Sequence, residues 1–109
     1  MTHKQIYDLL LTLGTQAKPV PVAYNTFISN KEINPPFIVY RETGVDTFKA
    51  DSKTYYRPRN FEIELVTEVK DVDLQDKLEK LLNDNNIPFD TTDEVWDQEE
   101  RRYHNFYEI

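Results

Sequence analysis

The chain has 109 residues, with 13 basic and 20 acidic side chains, so its formal net charge is −7. It contains no cysteine, which excludes disulfides, zinc–thiolate sites and cysteine nucleophiles. Its composition, 39% hydrophobic and 30% charged, is typical of one globular domain, and we predict a single domain over residues 1–109.

The charge is distributed unevenly along the chain. Residues 1–60 carry eight basic and five acidic side chains, a net charge of +3, whereas residues 61–109 carry five and fifteen, a net charge of −10. An acidic chain repels a phosphate backbone, which argues against DNA as a tightly bound partner. No apolar run approaches the roughly 20 residues of a membrane helix, and we expect no membrane association.

The first predicted element is a helix near the N-terminus. Thr2 and Gln5 have the spacing of a capping box, which starts such a helix. Apolar side chains then follow at helical spacing: Ile6, Leu9, Leu10 and Leu13. Gly14 is predicted to end the helix in a left-handed conformation.

Three strands are predicted in the middle of the chain. Residues 18–24 contain Pro19 and Pro21, which favour a short edge strand. The apolar run in residues 37–43 predicts a strand covered on both faces, and Gly44 predicts the turn after it. The clearest strand is residues 60–68, where apolar and acidic side chains alternate: Phe61, Ile63 and Leu65 against Glu62 and Glu64.

The last part of the chain predicts one helix and two strands. Asp71 or Asp73 is positioned to cap the helix, whose apolar stripe consists of Leu74, Leu78, Leu81 and Leu82. Residues 87–100 predict a short strand followed by an acidic loop or irregular strand, and residues 101–109 predict a final strand. The element order indicates an α+β fold, with a small mixed or antiparallel sheet, two helices packed on one face and an extended hairpin-like arm.

The sequence offers no signature of catalysis or metal binding. Its two glycines exclude the glycine-rich phosphate loops, and neither serine lies in a nucleophile-elbow pattern. Neither His3 nor His104 has a metal-ligand neighbour at the usual spacing; His3 is predicted to lie at a mobile terminus and His104 on a strand face. We therefore predict no enzyme activity, no catalytic residue, no metal and no cofactor.

The acidic C-terminal half contains one tryptophan, Trp96. In a monomer its ring would lie beneath the adjoining loop, and in an oligomer it would anchor an interface. The neighbouring run from Glu99 to Arg102 is suited to ion pairs between subunits. The other carboxylates in this half lie in polar contexts, which favours solvation over acid–base chemistry.

Residues 48–59 mix basic and aromatic side chains. Three interpretations remain: a nucleic-acid patch, a strand connection whose long side chains cover apolar surface, or an arm that contacts a partner protein. Residues 41–60 have a net charge of only +2, which disfavours nucleic acid. Fifteen residues lie between Gly44 and Asn60, which is long for a hairpin loop and favours a functional arm.

Three motifs in order resemble a family of small proteins from tailed bacteriophages and prophages of Gram-positive hosts. In that family a P-Y-I-V-Y strand, an F-x-A-D-x-x-x-Y segment and an I-E-L-Y-T strand follow one another. The corresponding segments here are PFIVY (36–40), FKADSKTY (48–55) and IELVT (63–67), with Val66 where the family commonly has tyrosine. The resemblance spans nearly the whole chain.

The family is similar to tail completion, or tail terminator, proteins. The resemblance implies a virion protein at the head–tail interface, assembled in the host cytoplasm. It implies subunits that are monomeric in isolation and that assemble into a hexameric ring. The ring caps the tail tube, ends its polymerisation and offers a head–tail joining surface. The implied partners are further copies of the chain, the tail tube protein and a head-closure or connector protein, with DNA only passing through the lumen.

Two alternative functions remain from the sequence: a head-closure or head–tail adaptor protein, and a small nucleic-acid-binding module. The arm interpretation and the charge asymmetry together predict a subunit interface between a basic, aromatic segment and the acidic half of a neighbour. Its candidate residues are Phe48, Lys49, Lys53, Tyr55, Tyr56, Arg57, Arg59, Trp96, Glu99 and Glu100.

Overall fold

A computed structural model of the chain describes residues 2–25, 33–45 and 59–109. Its elements, in chain order, are the following: α1 (His3–Leu11), β1 (Val22–Tyr24), β2 (Phe37–Val45), β3 (Arg59–Thr67), α2 (Val72–Asp84), β4 (Asp90–Asp97) and β5 (Arg102–Glu108). The strands form one sheet in the order β1-β2-β3-β5-β4. Only the β1–β2 pair in this sheet is parallel, so the predicted α+β fold with a mixed sheet is confirmed.

The core lies between the two helices and one face of the sheet. Ile6 and Leu10 from α1 and Leu78 and Leu82 from α2 are buried in one cluster with sheet residues. The sheet contributes these buried side chains: Val22, Ile38, Tyr40, Phe61, Ile63, Leu65 and Tyr107. The alternation predicted for residues 60–68 is therefore confirmed, because Glu62 and Glu64 lie on the opposite face.

The two helices begin as predicted but end for different reasons. Thr2 and Gln5 form the capping box of α1, and Asp71 Oδ1 accepts a 3.0 Å hydrogen bond from Leu74 N at the start of α2. Beyond α2, Asn86 adopts a left-handed φ of 57°. The backbone N–H of Ile87 then donates to Leu82 O at 2.9 Å, which closes a Schellman motif.

Both glycine predictions were wrong. Gly14 does not end α1 in a left-handed conformation, because the helix is capped at Thr12 and the φ of Gly14 lies outside that region. Gly14 instead allows a close approach, since a Cβ there would lie 2.4 Å from Val20 N. Gly44 does not begin a turn either: β2 continues to Val45, with a bulge between Glu42 and Gly44.

Residues near both ends of the chain pack against Phe61. The His3 ring lies 5.0 Å from the Phe61 ring, and His3 Nε2 lies 3.3 Å from Glu42 Oε2. The prediction that His3 belongs to a mobile terminus was therefore wrong. Ile109 extends the pairing of β5, since its N–H donates to Phe61 O at 2.9 Å.

The predicted arm falls largely on residues 46–58, which lie outside the described residues. The strands that flank it are antiparallel neighbours, and their pairing reaches Val45 and Arg59. None of the helices in the described part of the chain combines the length and apolar character that a membrane crossing requires.

Candidate interaction surface

Strand β4 forms one outer edge of the sheet and is the most exposed of the strands described. Seven of its eight residues are exposed to solvent. It is irregular, with a register shift between Thr91 and Asp93, which agrees with the irregular-strand alternative for this segment. Together with the turn after it, β4 carries six carboxylates: Asp90, Asp93, Glu94, Asp97, Glu99 and Glu100. We call β4 and this turn, residues 90–101, the acidic edge.

Trp96 is held on the acidic edge by Tyr103. The two residues are cross-strand partners, and their ring centroids are 4.6 Å apart at an interplanar angle of 50°. Trp96 nevertheless remains 45% exposed. Its ring is therefore oriented by Tyr103 of its own subunit and still leaves apolar area exposed, and its role as an interface anchor stays a prediction.

The turn that joins β4 to β5 is shaped by Asp97. Its Oδ1 accepts hydrogen bonds from the backbone N–H groups of Glu99, at 3.0 Å, and Glu100, at 3.2 Å. Arg101 adopts a left-handed φ of 58°. Arg102 forms an ion pair with Glu100 within the same chain at 3.4 Å. The turn is thus preorganised, with the side chains of Glu99 and Glu100 exposed.

A polar cleft of about 370 Å³ lies beside β4, under the first half of α2. Gln75 Nε2 donates to Asn105 Oδ1 at 3.0 Å, and Gln75 also hydrogen-bonds Tyr107. Burial raises the pKa of the Tyr107 phenol, the bond to Gln75 lowers it, and the negative charges of Glu79 and Asp76 raise it further. Among the described atoms, the buried Nδ2 of Asn105 has no hydrogen-bond partner.

A row of ionisable side chains crosses the sheet face opposite the helices. Arg41 on β2 forms ion pairs with Glu62 and with Glu64 on β3, the latter at 3.5 Å. His104 on β5 brings its Nδ1 to 3.5 Å from Glu64 Oε2. The sequence pattern predicted that these two glutamates point away from the core and that His104 lies on a strand face, but it missed Arg41 as their partner. Only the strand register brings these side chains together.

The structure brings together three of the predicted interface residues, Trp96, Glu99 and Glu100, at the acidic edge. The backbone of Arg59 begins β3, and its side chain lies outside the described part of the structure. The other six candidates lie outside the described residues: Phe48, Lys49, Lys53, Tyr55, Tyr56 and Arg57. Their role at an interface stays a prediction.

Within residues 2–25, 33–45 and 59–109, no group of three or more histidine or carboxylate side chains is arranged to hold a metal ion. Comparison with known proteins finds no protein-family model and no curated sequence that matches the chain.

Proposed function

We propose that this protein is a structural subunit of a bacteriophage tail, which caps the tail tube as a ring, ends tail polymerisation and contributes to the head–tail joining surface. The acidic edge carries the proposal: it is an exposed strand with a preorganised turn and a half-exposed Trp96. Tryptophan anchors are enriched at protein interfaces. The resemblance of residues 36–40, 48–55 and 63–67 to tail completion proteins supports the same role.

The mechanism is geometric. Each subunit presents the basic segment of residues 49–59 to the acidic edge of the next subunit. Such a head-to-tail contact makes a ring when the rotation between subunits closes. Acidic side chains that face the lumen of the ring would repel DNA, so that it passes without binding. A subunit that is monomeric in isolation would assemble only on the tip of the tail tube.

The test of this function is electron microscopy of phage particles made without the protein. Overlong or headless tails are expected, because nothing would stop polymerisation of the tube or join it to the head. Full heads that leak DNA would instead indicate a head-closure protein. Normal, infectious particles would overturn a role in the virion altogether.

A single substitution tests the acidic edge. Trp96→Ala should leave the isolated protein folded, because the ring is already 45% exposed, but it should impair ring assembly and produce overlong tails. The matched control is Tyr7→Ala on α1, which removes an aromatic ring that is 38% exposed on another surface. Equal effects of the two variants on tail length would argue against the acidic edge as the interface.

A further inference from the structure

The outer side of β4 offers a backbone edge for another strand. In the sheet order, β4 is paired with β5 on one side and has no strand on its other side among the described residues. The backbone groups on that side are thus positioned to pair with an added strand. The opposite edge of the sheet, β1, has only three residues and offers a much shorter ladder.

The charge of β4 selects what can pair with it. Asp93, Val95 and Asp97 point to the face opposite the helices, and Glu94 and Trp96 point to the helix face. Two copies of β4 placed side by side would set carboxylates against carboxylates, which is unfavourable between neighbouring strands. The complementary strand is basic, with an apolar or aromatic residue opposite Val95 or Trp96.

The chain itself contains a segment with this pattern. Residues 49–59 have four basic side chains and one acidic one. An extended conformation of KTYYR (53–57) in an added strand would place Lys53, Tyr55 and Arg57 on one face. A parallel register sets these three against Asp93, Val95 and Asp97, and it sets Tyr56 against Trp96. An antiparallel register also places both basic side chains opposite Asp93 and Asp97.

The segment that pairs with β4 must come from another subunit. Arg59 begins β3, and β5 lies between β3 and β4. A strand added to the outer side of β4 would therefore lie about three strand spacings, or about 14 Å, from β3. The two residues from Arg59 back to Arg57 span at most about 7 Å. Residues 53–57 of a subunit thus cannot add to its own β4 while β3 stays in place.

We propose that the outer edge of β4 is a strand-addition site for residues 53–57 of a second copy of this chain. The inference rests on the proposed function, because it specifies the contact between successive ring subunits. Backbone hydrogen bonds fix the geometry of this contact, and ion pairs between acidic and basic side chains determine which strand binds. Trp96 and Val95 supply the apolar area of the contact.

The test uses a fluorescently labelled peptide of residues 51–59. The full chain is added to this peptide at concentrations at which the chain is monomeric, and the fluorescence anisotropy of the peptide reports binding. Asp93→Lys should weaken peptide binding about three- to tenfold. The charge-matched control is Asp84→Lys at the exposed end of α2. Absence of peptide binding, or equal weakening by the two variants, would overturn the proposal.

Peptide variants separate strand pairing from charge attraction alone. One peptide is N-methylated at Thr54 and Tyr56, and another at Lys53, Tyr55 and Arg57. One of the two should lose binding, because alternate N–H groups of a strand point to the same neighbour. Full binding of both would overturn strand addition.

Charge-reversed peptides distinguish the two registers. Rescue of binding to the Asp93→Lys variant by a peptide with Lys53→Glu would indicate a parallel register. Rescue by a peptide with Arg57→Glu would indicate an antiparallel register.

The outcomes also distinguish this inference from the proposed function. If particles without the protein have overlong tails and the peptide does not bind, the tail role is supported and the strand-addition site on β4 is contradicted. If the peptide binds sequence-specifically but particles without the protein are normal, the site is supported as a contact between copies of the chain and the tail role is contradicted.

Discussion

Gln75 Nε2 donates a 3.0 Å hydrogen bond to Asn105 Oδ1, and this bond ties α2 to β5. Asn105 is only 4% exposed, so its Oδ1 would lose a direct donor that only a water molecule in the adjoining cleft could replace. Gln75→Ala should therefore lower the free energy of unfolding by about 1–3 kcal/mol, measured by urea denaturation. Gln98→Ala, at an exposed turn position, is the control. Equal stabilities of the two variants would contradict this role for Gln75.

Tyr107 makes stability sensitive to alkaline pH. Burial raises its folded-state pKa above the ordinary value of 10.0, so the folded protein retains the phenolic proton to higher pH than the unfolded chain does. The resulting stabilisation is complete below pH 10.0 and declines as pH rises towards the folded-state pKa.

The Tyr107→Phe variant tests this pH dependence. Its free energy of unfolding should decline less steeply than that of the unaltered protein when urea midpoints are measured from pH 8 to about pH 11. The variant also loses the hydrogen bond to Gln75, so the slope with pH, and not the absolute stability, is the readout. Identical slopes for the two proteins would show that Tyr107 does not contribute.

Gly14 should not tolerate a side chain. A Cβ at this position would lie 2.4 Å from Val20 N and 3.2 Å from the Pro19 carbonyl carbon, and both are backbone atoms. Gly14→Ala should destabilise the fold by about 1–3 kcal/mol, measured by thermal or chemical denaturation. Gln16→Ala changes an exposed neighbour and should be nearly neutral. A Gly14→Ala variant as stable as the unaltered protein would mean that this loop readily shifts.

The stability of the protein should respond differently to two small replacements of Asn86. Its φ of 57° is left-handed, which glycine adopts without steric cost and alanine does not. Asn86→Ala should lose about 1 kcal/mol of stability, whereas Asn86→Gly should equal or slightly exceed the unaltered protein. Thermal melting of both variants checks this; a reversed order would contradict the Schellman ending of α2.

Local sequence signals predicted the elements of the fold well. The capping box of Thr2 and Gln5, the cap at Asp71 and the alternation of β3 each depend on residues within a few positions of one another. The two glycines failed because their roles depend on distant backbone. Gly14 is required by the approach of Val20, and Gly44 lies in a bulge set by pairing with β3.

The candidate surface was harder to predict, because it depends on strand order. Trp96 and the acids around it were recognised from composition, but the partner ring of Tyr103 follows only from the register of β4 with β5. Arg41 was missed for the same reason, since its two glutamates lie more than twenty residues further along the chain. Sequence periodicity assigns faces to strands but does not say which strands are neighbours.

The position of β5 has a consequence for how the protein is made. It follows both β3 and β4 in chain order, yet it lies between them in the sheet. On a ribosome, β3 and β4 would emerge without the strand that joins them, and β3 would lack one of its two neighbours. The part of the sheet made by β3, β5 and β4 is therefore completed only after residues 102–108 leave the exit tunnel.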